Sequence, residues 1–141
     1  MQAIEISRTG LDVEWRRLEV IADNLANVGS TRPAGAEPYR PMRLVSGPRA
    51  DFGQLLASAS PGALSGVKIL GLEPVNSPPR RVHEPSHPHA DEAGFVTYPG
   101  VDHASEMTLL VKTARAYEAN LVAMGTARQM YAKALELGRR P

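Results

Sequence analysis

The sequence predicts a mainly α-helical protein. The expected architecture is an elongated, antiparallel, coiled-coil-like hairpin of N- and C-terminal helices with a small β-rich lobe between them. Three observations predict it. Eleven of the twelve prolines fall between Pro33 and Pro99 and the last is Pro141, so two proline-free arms flank a segment that cannot be helical. Both arms repeat apolar residues at steps of three, four and seven. Their net charges are opposite, −2 over residues 1–28 (three basic, five acidic) and +2 over 102–141 (six basic, four acidic), which favours pairing. The boundaries follow: an N-terminal helix within 1–28, a Pro/Gly-rich middle over 29–100, and a C-terminal helix within 101–141.

The first arm runs from Ile4 to Val28. Ile4, Leu11, Leu18 and Leu25 recur every seven residues, with Ile21 and Val28 as companions. Ser7 and Glu14 occupy two other companion positions, so the seam is not an ideal zipper. Ile6, Val13 and Val20 form a second line, about 200° around the helix from the first. The helix is expected to stop near Asn27–Gly29, where Asn and Gly favour a C-cap.

The middle holds four candidate strands. Tyr39–Val45 and Val67–Leu72 are the better ones; Arg80–His83 and Phe95–Tyr98 are weaker. Asp51–Ser60 reads as a short helix or a disordered tip. Loops are expected at 29–38, 46–66 and 74–92.

The second arm, Val101–Gly138, lacks proline and has Gly125 as its one internal glycine. Read as a helix it is about 50 Å long. Asp102 can cap its start and Gly138 its end, and Arg139 and Arg140 suit the negative end of the helix dipole. Met107, Leu110, Ala114, Tyr117, Leu121, Met124, Tyr131 and Leu135 form one stripe, interrupted by Arg128. Leu109, Ala116, Ala123, Met130 and Leu137 repeat every seven residues nearly opposite it. A helix with two apolar sides needs partners on both. One side is expected to meet the other arm of the same subunit, with Leu11, Leu18 and Leu25 against Leu110, Tyr117 and Leu121. The other side, Ile6, Val13 and Val20 with Leu109, Met130 and Leu137, is left for neighbouring subunits. Ala116, Ala119 and Ala123 would permit close approach.

Composition excludes several classes. Formal net charge is +1 with no basic block, which argues against nucleic acid or an anionic membrane as the main partner. There is no cysteine, hence no disulfide framework or thiol chemistry. No apolar run reaches a membrane-spanning length of about 18 residues. Met1–Gly10 lacks the basic and apolar regions of a Sec-type signal, so any export is expected to use another route.

No catalytic constellation emerges. His83, Glu84, His87, His89 and Asp91 lie close together in sequence and could be read as a zinc site or part of a hydrolytic enzyme. The plainer reading is solvated loop residues beside Pro85 and Pro88. There is no G-x-S-x-G turn and no phosphate-binding glycine loop. Arg16–Arg17 and Arg80–Arg81 are too short for a nucleic-acid patch. Trp15 reads as a helix-packing residue. No cofactor is implied.

Three motifs carry a resemblance. Ile21-Ala22-Asp23-Asn24-Leu25-Ala26-Asn27 resembles the A-x-N-L-A-N signature ending the N-terminal helix of bacterial flagellar rod and hook axial proteins. Glu106-Met107 and Ala114-Arg115-Ala116-Tyr117-Glu118-Ala119-Asn120 resemble their E-M and S-R-x-Y-x-A-N motifs. Glu84–Ala90 and Gly94–Val101 are similar to a segment of the proximal rod subunits, and Pro38-Tyr39-Arg40 matches the family's P-Y-[RK]. Gly100 departs from the usual Asn, His83 from an apolar or aromatic residue, and Val28–Thr31 from the usual first loop.

The resemblance implies a structural subunit of the basal-body rod, polymerising through its terminal helices into a drive shaft around the export channel. It implies a periplasmic location after type III export without a cleaved signal. The implied partners are other copies of itself, FlgB-, FlgF-, FlgG- and FliE-like rod subunits, and the export apparatus. Asn24, Asn27 and Asn120 belong to its motifs; Asn24 and Asn27 are expected to hydrogen-bond backbone at the helix end. In dilute monomer the arms are expected to be partly disordered and to order on assembly. The rival readings are the metal-binding or hydrolytic enzyme and a generic helical-hairpin adaptor.

Overall fold

The computed structural model describes residues 2–50 and 66–138. The described elements are α1 (Gln2–Ala26), β1 (Met42–Pro48), β2 (Val67–Pro74), β3 (Arg80–His83), β4 (Phe95–Tyr98) and α2 (His103–Gly138). The protein is mainly helical with a small β part, as the proline distribution requires. Strand β1 starts after the predicted Tyr39, because Pro38 and Pro41 cannot donate to a ladder. It also runs on to Pro48, into the predicted loop. The 51–60 segment, read as helix or tip, lies outside the described residues.

Each helix end has a local cause. Asp102 caps α2: its Oδ1 accepts the N–H groups of Ala104 (3.1 Å) and Ser105 (3.3 Å), and Ser105 Oγ donates to Oδ2 at 2.6 Å. These bonds hold the Asp102 carboxyl below the usual range, the Ser105 hydroxyl contributing most. At the end of α1, Asn27 Nδ2 donates to the Asp23 carbonyl at 2.8 Å and Ser30 Oγ donates to the Asn27 carbonyl at 2.9 Å. These side chains act together with the backbone turn bonds Val28 N–H to Leu25 O and Ser30 N–H to Asn27 O. Gly29 does not adopt the left-handed conformation, which among the described residues belongs to Gly35, Gly66 and Gly94.

The strands form two two-stranded sheets, β1–β2 and β3–β4. The β3–β4 pair is antiparallel, with Arg80 opposite Tyr98 and His83 opposite Phe95. Val96 on β4 is fully buried. Arg80 lies over the Tyr98 ring and Arg81 over the Phe95 ring, at 5.4 and 4.8 Å from the centroids.

The chain divides into two compact units. One comprises Met1–Arg16, Val45–Gly71 and Lys112–Pro141; the other comprises Arg17–Leu44 and Leu72–Val111. In the first, the N-terminal part of α1 meets α2 through Gly10 and Asn120: a Cβ on Gly10 would lie 2.9 Å from Asn120 Oδ1. The Trp15 and Tyr117 rings meet nearby at a tilt of 51°, with centroids 6.1 Å apart. A second side of this stretch of α1, about 100° around the helix, is also covered. Val67 N–H donates to Thr9 Oγ1 at 3.1 Å, and Thr9 Oγ1 donates to the Ile6 carbonyl at 2.7 Å. Gly66 is required here twice over, by φ +87 and because a Cβ would stand 2.2 Å from Thr9 Oγ1.

In the second unit, the loop before α2 lies against the segment between β2 and β3. A Cβ on Gly100 would approach the Pro78 carbonyl oxygen to 2.4 Å, and Ser77 Oγ donates to the Gly100 carbonyl. This contact is the physical reason that glycine occupies the position where the resemblance leads one to expect Asn.

Candidate assembly surface

The most elaborate arrangement in the second unit is a buried polar node centred on Asn24, which is 0% exposed. Its Nδ2 donates to the Met42 carbonyl at 2.9 Å and toward Glu106 Oε2 at 3.3 Å. Its Oδ1 accepts Met42 N–H at 3.0 Å and Tyr39 Oη–H at 2.9 Å. All four hydrogen-bonding positions of the amide are therefore used. Glu106, 2% exposed, completes the node with an ion pair, its Oε1 being 2.7 Å from Arg43 Nη1. The alignment there makes the contact an ion pair rather than an oriented hydrogen bond. Burial raises the Tyr39 hydroxyl pKa above its ordinary value, with Asp23 and Glu106 adding to the effect. The node ties α1, β1, the loop at Tyr39 and α2 together. With all four positions of the Asn24 amide engaged, the node acts as a clamp.

The node also shows which side of α2 faces inward. The two buried residues of α2 are Glu106 and Thr113, both polar, and the half-buried Asn120 continues their seven-residue spacing. The seam sequence reasoning missed is thus polar, flanked by Leu109 and Leu110 and by Ala116 and Tyr117, all half-buried. Its signal was present as a heptad of Glu, Thr and Asn, the kind of repeat that reads as a solvated face.

The predicted packing residues divide accordingly. On α1, Leu11 and Ile21 are buried, and Ile4, Leu18 and Leu25 are half-buried. Asn24 bonds backbone, but that of Met42 in β1 and not of the helix end; Asn27 does bond the helix end. On α2, Leu110, Tyr117, Asn120 and Met124 are half-buried, whereas Met107, Leu121 and Leu135 are exposed. The expected contact of Leu121 with the other arm is therefore replaced by Gly10 against Asn120. Of the small residues, Ala116 is half-buried and Ala119 and Ala123 are exposed, so the close approach is made at Gly10.

The expected intersubunit line needs correction on α1. Val13 and Val20 are each only 4% exposed and Ile6 is half-buried. The strands take the role given to neighbours: Arg8, Thr9, Asp12 and Val13 share a cleft with Arg49, Val67, Lys68 and Ile69. On α2, Leu109 is half-buried, whereas Met130 (68%) and Leu137 (71%) are open, as are Val122, Tyr131 and Leu135. Ile69, Leu70 and Leu72 of β2 are exposed as well.

The histidines have local partners. The His83 ring meets that of Phe95 at a tilt of 59°, with centroids 5.0 Å apart. His87 Nδ1 accepts His89 N–H at 3.0 Å, and His89 Nδ1 pairs with Thr31 Oγ1 at 2.9 Å. Among the described residues, no group of three His, Cys, Asp or Glu side chains could hold a metal ion. No helix among them is long and apolar enough to cross a membrane.

Residues 92–137, covering β4 and nearly all of α2, match the family described as flagellar basal body rod FlgEFG protein C-terminal. Relatives match over almost the whole chain. The chain is 31% identical to the flagellar basal-body rod protein FlgC of Borreliella burgdorferi, over 96% of this chain and 95% of that one. It is 33% identical to FlgC of an Escherichia coli O6:H1 strain, over 98% and 97%. It is 34% identical to FlgC of Bacillus subtilis, over 97% of each. With the motifs around Asn24, Glu106 and Asn120 holding the helices in place and similarity extending from end to end, the chain belongs to the flagellar basal-body rod protein FlgC family.

Proposed function

We propose that this structural rod subunit, which is not an enzyme, polymerises through its terminal helices, with the C-terminal half of α2 as the principal contact. The observation that carries the reading is the exposure of Val122, Met130 and Leu137, at 68%, 68% and 71%, on a helix that is engaged in its N-terminal half and exposed at every position from 128 to 138. Side chains of this size left in water forgo the free energy of burial. Burying each against a neighbour contributes about 1.5–3 kcal/mol. Residues 1–28 and 101–141 then act as the helical core of the assembly and 29–100 as a lobe attached to it. The neighbours are other copies of the chain and FlgB-, FlgF-, FlgG- and FliE-like rod subunits. The assembly is a periplasmic drive shaft around the export channel, reached by type III export without a cleaved signal. Torque passes through helix-on-helix packing.

The test is cellular fractionation. The chain is expected in purified basal bodies from cells with a working type III export apparatus and absent from them when export is blocked. Recovery from the cytoplasm alone, with export intact, would overturn the reading in favour of a cytoplasmic adaptor.

A further inference from the structure

The loop joining β3 to β4 consists of two turns built on the same device. In the second, Asp91 Oδ1 accepts the N–H of Ala93, two residues on, at 3.0 Å, and that of Phe95 at 2.8 Å. This is an Asx-type turn. In the first, an imidazole does the same work: His87 Nδ1 accepts the N–H of His89, also two residues on, at 3.0 Å. The backbone bonds His87 N–H to Glu84 O and Ala90 N–H to His87 O close this turn. His89 then reaches across to Thr31 Oγ1, in the segment after α1.

The two acceptors differ in how they meet a proton. A carboxylate keeps acceptor capacity until strongly acidic solution. An imidazole nitrogen that gains a proton becomes a donor and can no longer accept. The Asp91 carboxyl is held below the ordinary carboxylate range, chiefly by the Phe95 N–H, with Ala93 and Arg81 adding to it. The Thr31–His89 contact tolerates either state of His89, since a protonated Nδ1 can donate to the hydroxyl. Only the His87 bond is abolished by protonation.

We propose that the β3–β4 loop is a proton-sensitive latch in which His87 is the sensor: neutral His87 closes the first turn, and its protonation releases the His87–His89 turn while the Asp91 turn stays closed. The His89 ring lies 5.5 Å from that of His87, so two protonated rings repel and push in the same direction. Of the other charged groups around the loop, Glu92 is exposed, and Glu84, Arg81 and His83 have partners. Glu84 accepts the Tyr98 hydroxyl at 3.1 Å, Arg81 pairs with Asp91, and His83 lies against Phe95. Arg32 lines a small cavity of about 200 Å³ with Arg81, His89 and Asp91. Opening the first turn loosens the hold of His89 on Thr31 and so frees the segment following α1.

Amide hydrogen exchange by NMR on the full chain tests this, following His89, Ala93 and Phe95 from about pH 7.5 to about pH 5. With rates corrected for intrinsic pH dependence, the His89 protection factor is expected to fall at least about tenfold, while those of Ala93 and Phe95 hold. His87→Asn supplies a non-titrating acceptor at the same offset and should keep His89 protected at both pH values. His87→Phe should leave it unprotected at both. A flat His89 profile in the unmodified chain overturns the proposal. So does a fall that persists in His87→Asn, or one shared by Phe95, which would mark general unfolding.

Discussion

At the scale of single residues, the chain is organised by buried polar groups as much as by apolar ones. Asn24 is the clearest example. Its amide satisfies the backbone N–H and carbonyl of Met42, the Tyr39 hydroxyl and one oxygen of Glu106. Truncation removes those partners together and leaves buried groups unpaired, which costs far more than the bonds contribute net. Asn24→Ala is therefore expected to destabilise the fold by about 3 kcal/mol, measured by urea unfolding of the full chain. A loss below about 0.5 kcal/mol, typical of a surface site, would refute the clamp. The sequence showed Glu106 only as a letter of a motif, and Asn24 as a motif residue expected to bond backbone at the helix end. Their partnership spans 82 positions, and no periodicity within one helix can reveal a hydrogen bond to another element.

At the scale of elements, the helices and strands were legible because their causes are local. Proline placement, the Asp102 cap and β-branched runs each act within a few residues. The allocation of helix faces was not legible, because it depends on what arrives from elsewhere. The apolar lines on α1 are real, yet the line carrying Val13 and Val20 is covered within the chain. The Asp102 cap yields a prediction with a definite sign. Its folded pKa is lowered, so its stabilisation is present above the ordinary aspartate range and is lost as pH falls through the folded value. The first turn of α2 is expected to stay formed at about pH 5 and to fray toward about pH 2, seen as loss of exchange protection at Ala104 and Ser105. Asp102→Asn keeps an acceptor without the titration and should remove most of that pH dependence. Persistence of the full dependence in this variant would assign it to another carboxylate.

At the scale of the whole molecule, the question is which apolar side chains hold the subunit together and which are reserved for assembly. Val13 is buried against its own chain; Met130 and Leu137 are not. The two classes should separate in experiment. Val13→Ala removes packing inside the monomer and is expected to cost about 2 kcal/mol of folding stability. Met130→Asp with Leu137→Asp changes only exposed positions and should shift monomer stability by no more than about 0.5 kcal/mol. In an assembly that buries both side chains, the same pair forfeits about 3–6 kcal/mol per subunit. At about 1.4 kcal/mol per tenfold, that weakens incorporation by roughly a hundredfold to ten-thousandfold. Thermal melting of the purified chain and quantitation of the chain in basal bodies measure the two effects independently. The expected pattern is a normal melt with little incorporation for the double variant. For Val13→Ala it is a lowered melt, with incorporation retained below its melting temperature. Normal incorporation of the double variant would show that the open half of α2 is not the assembly contact, and would turn attention to Ile69, Leu70 and Leu72 of β2. A collapsed melt would mean that Met130 and Leu137 serve the fold of the single chain after all.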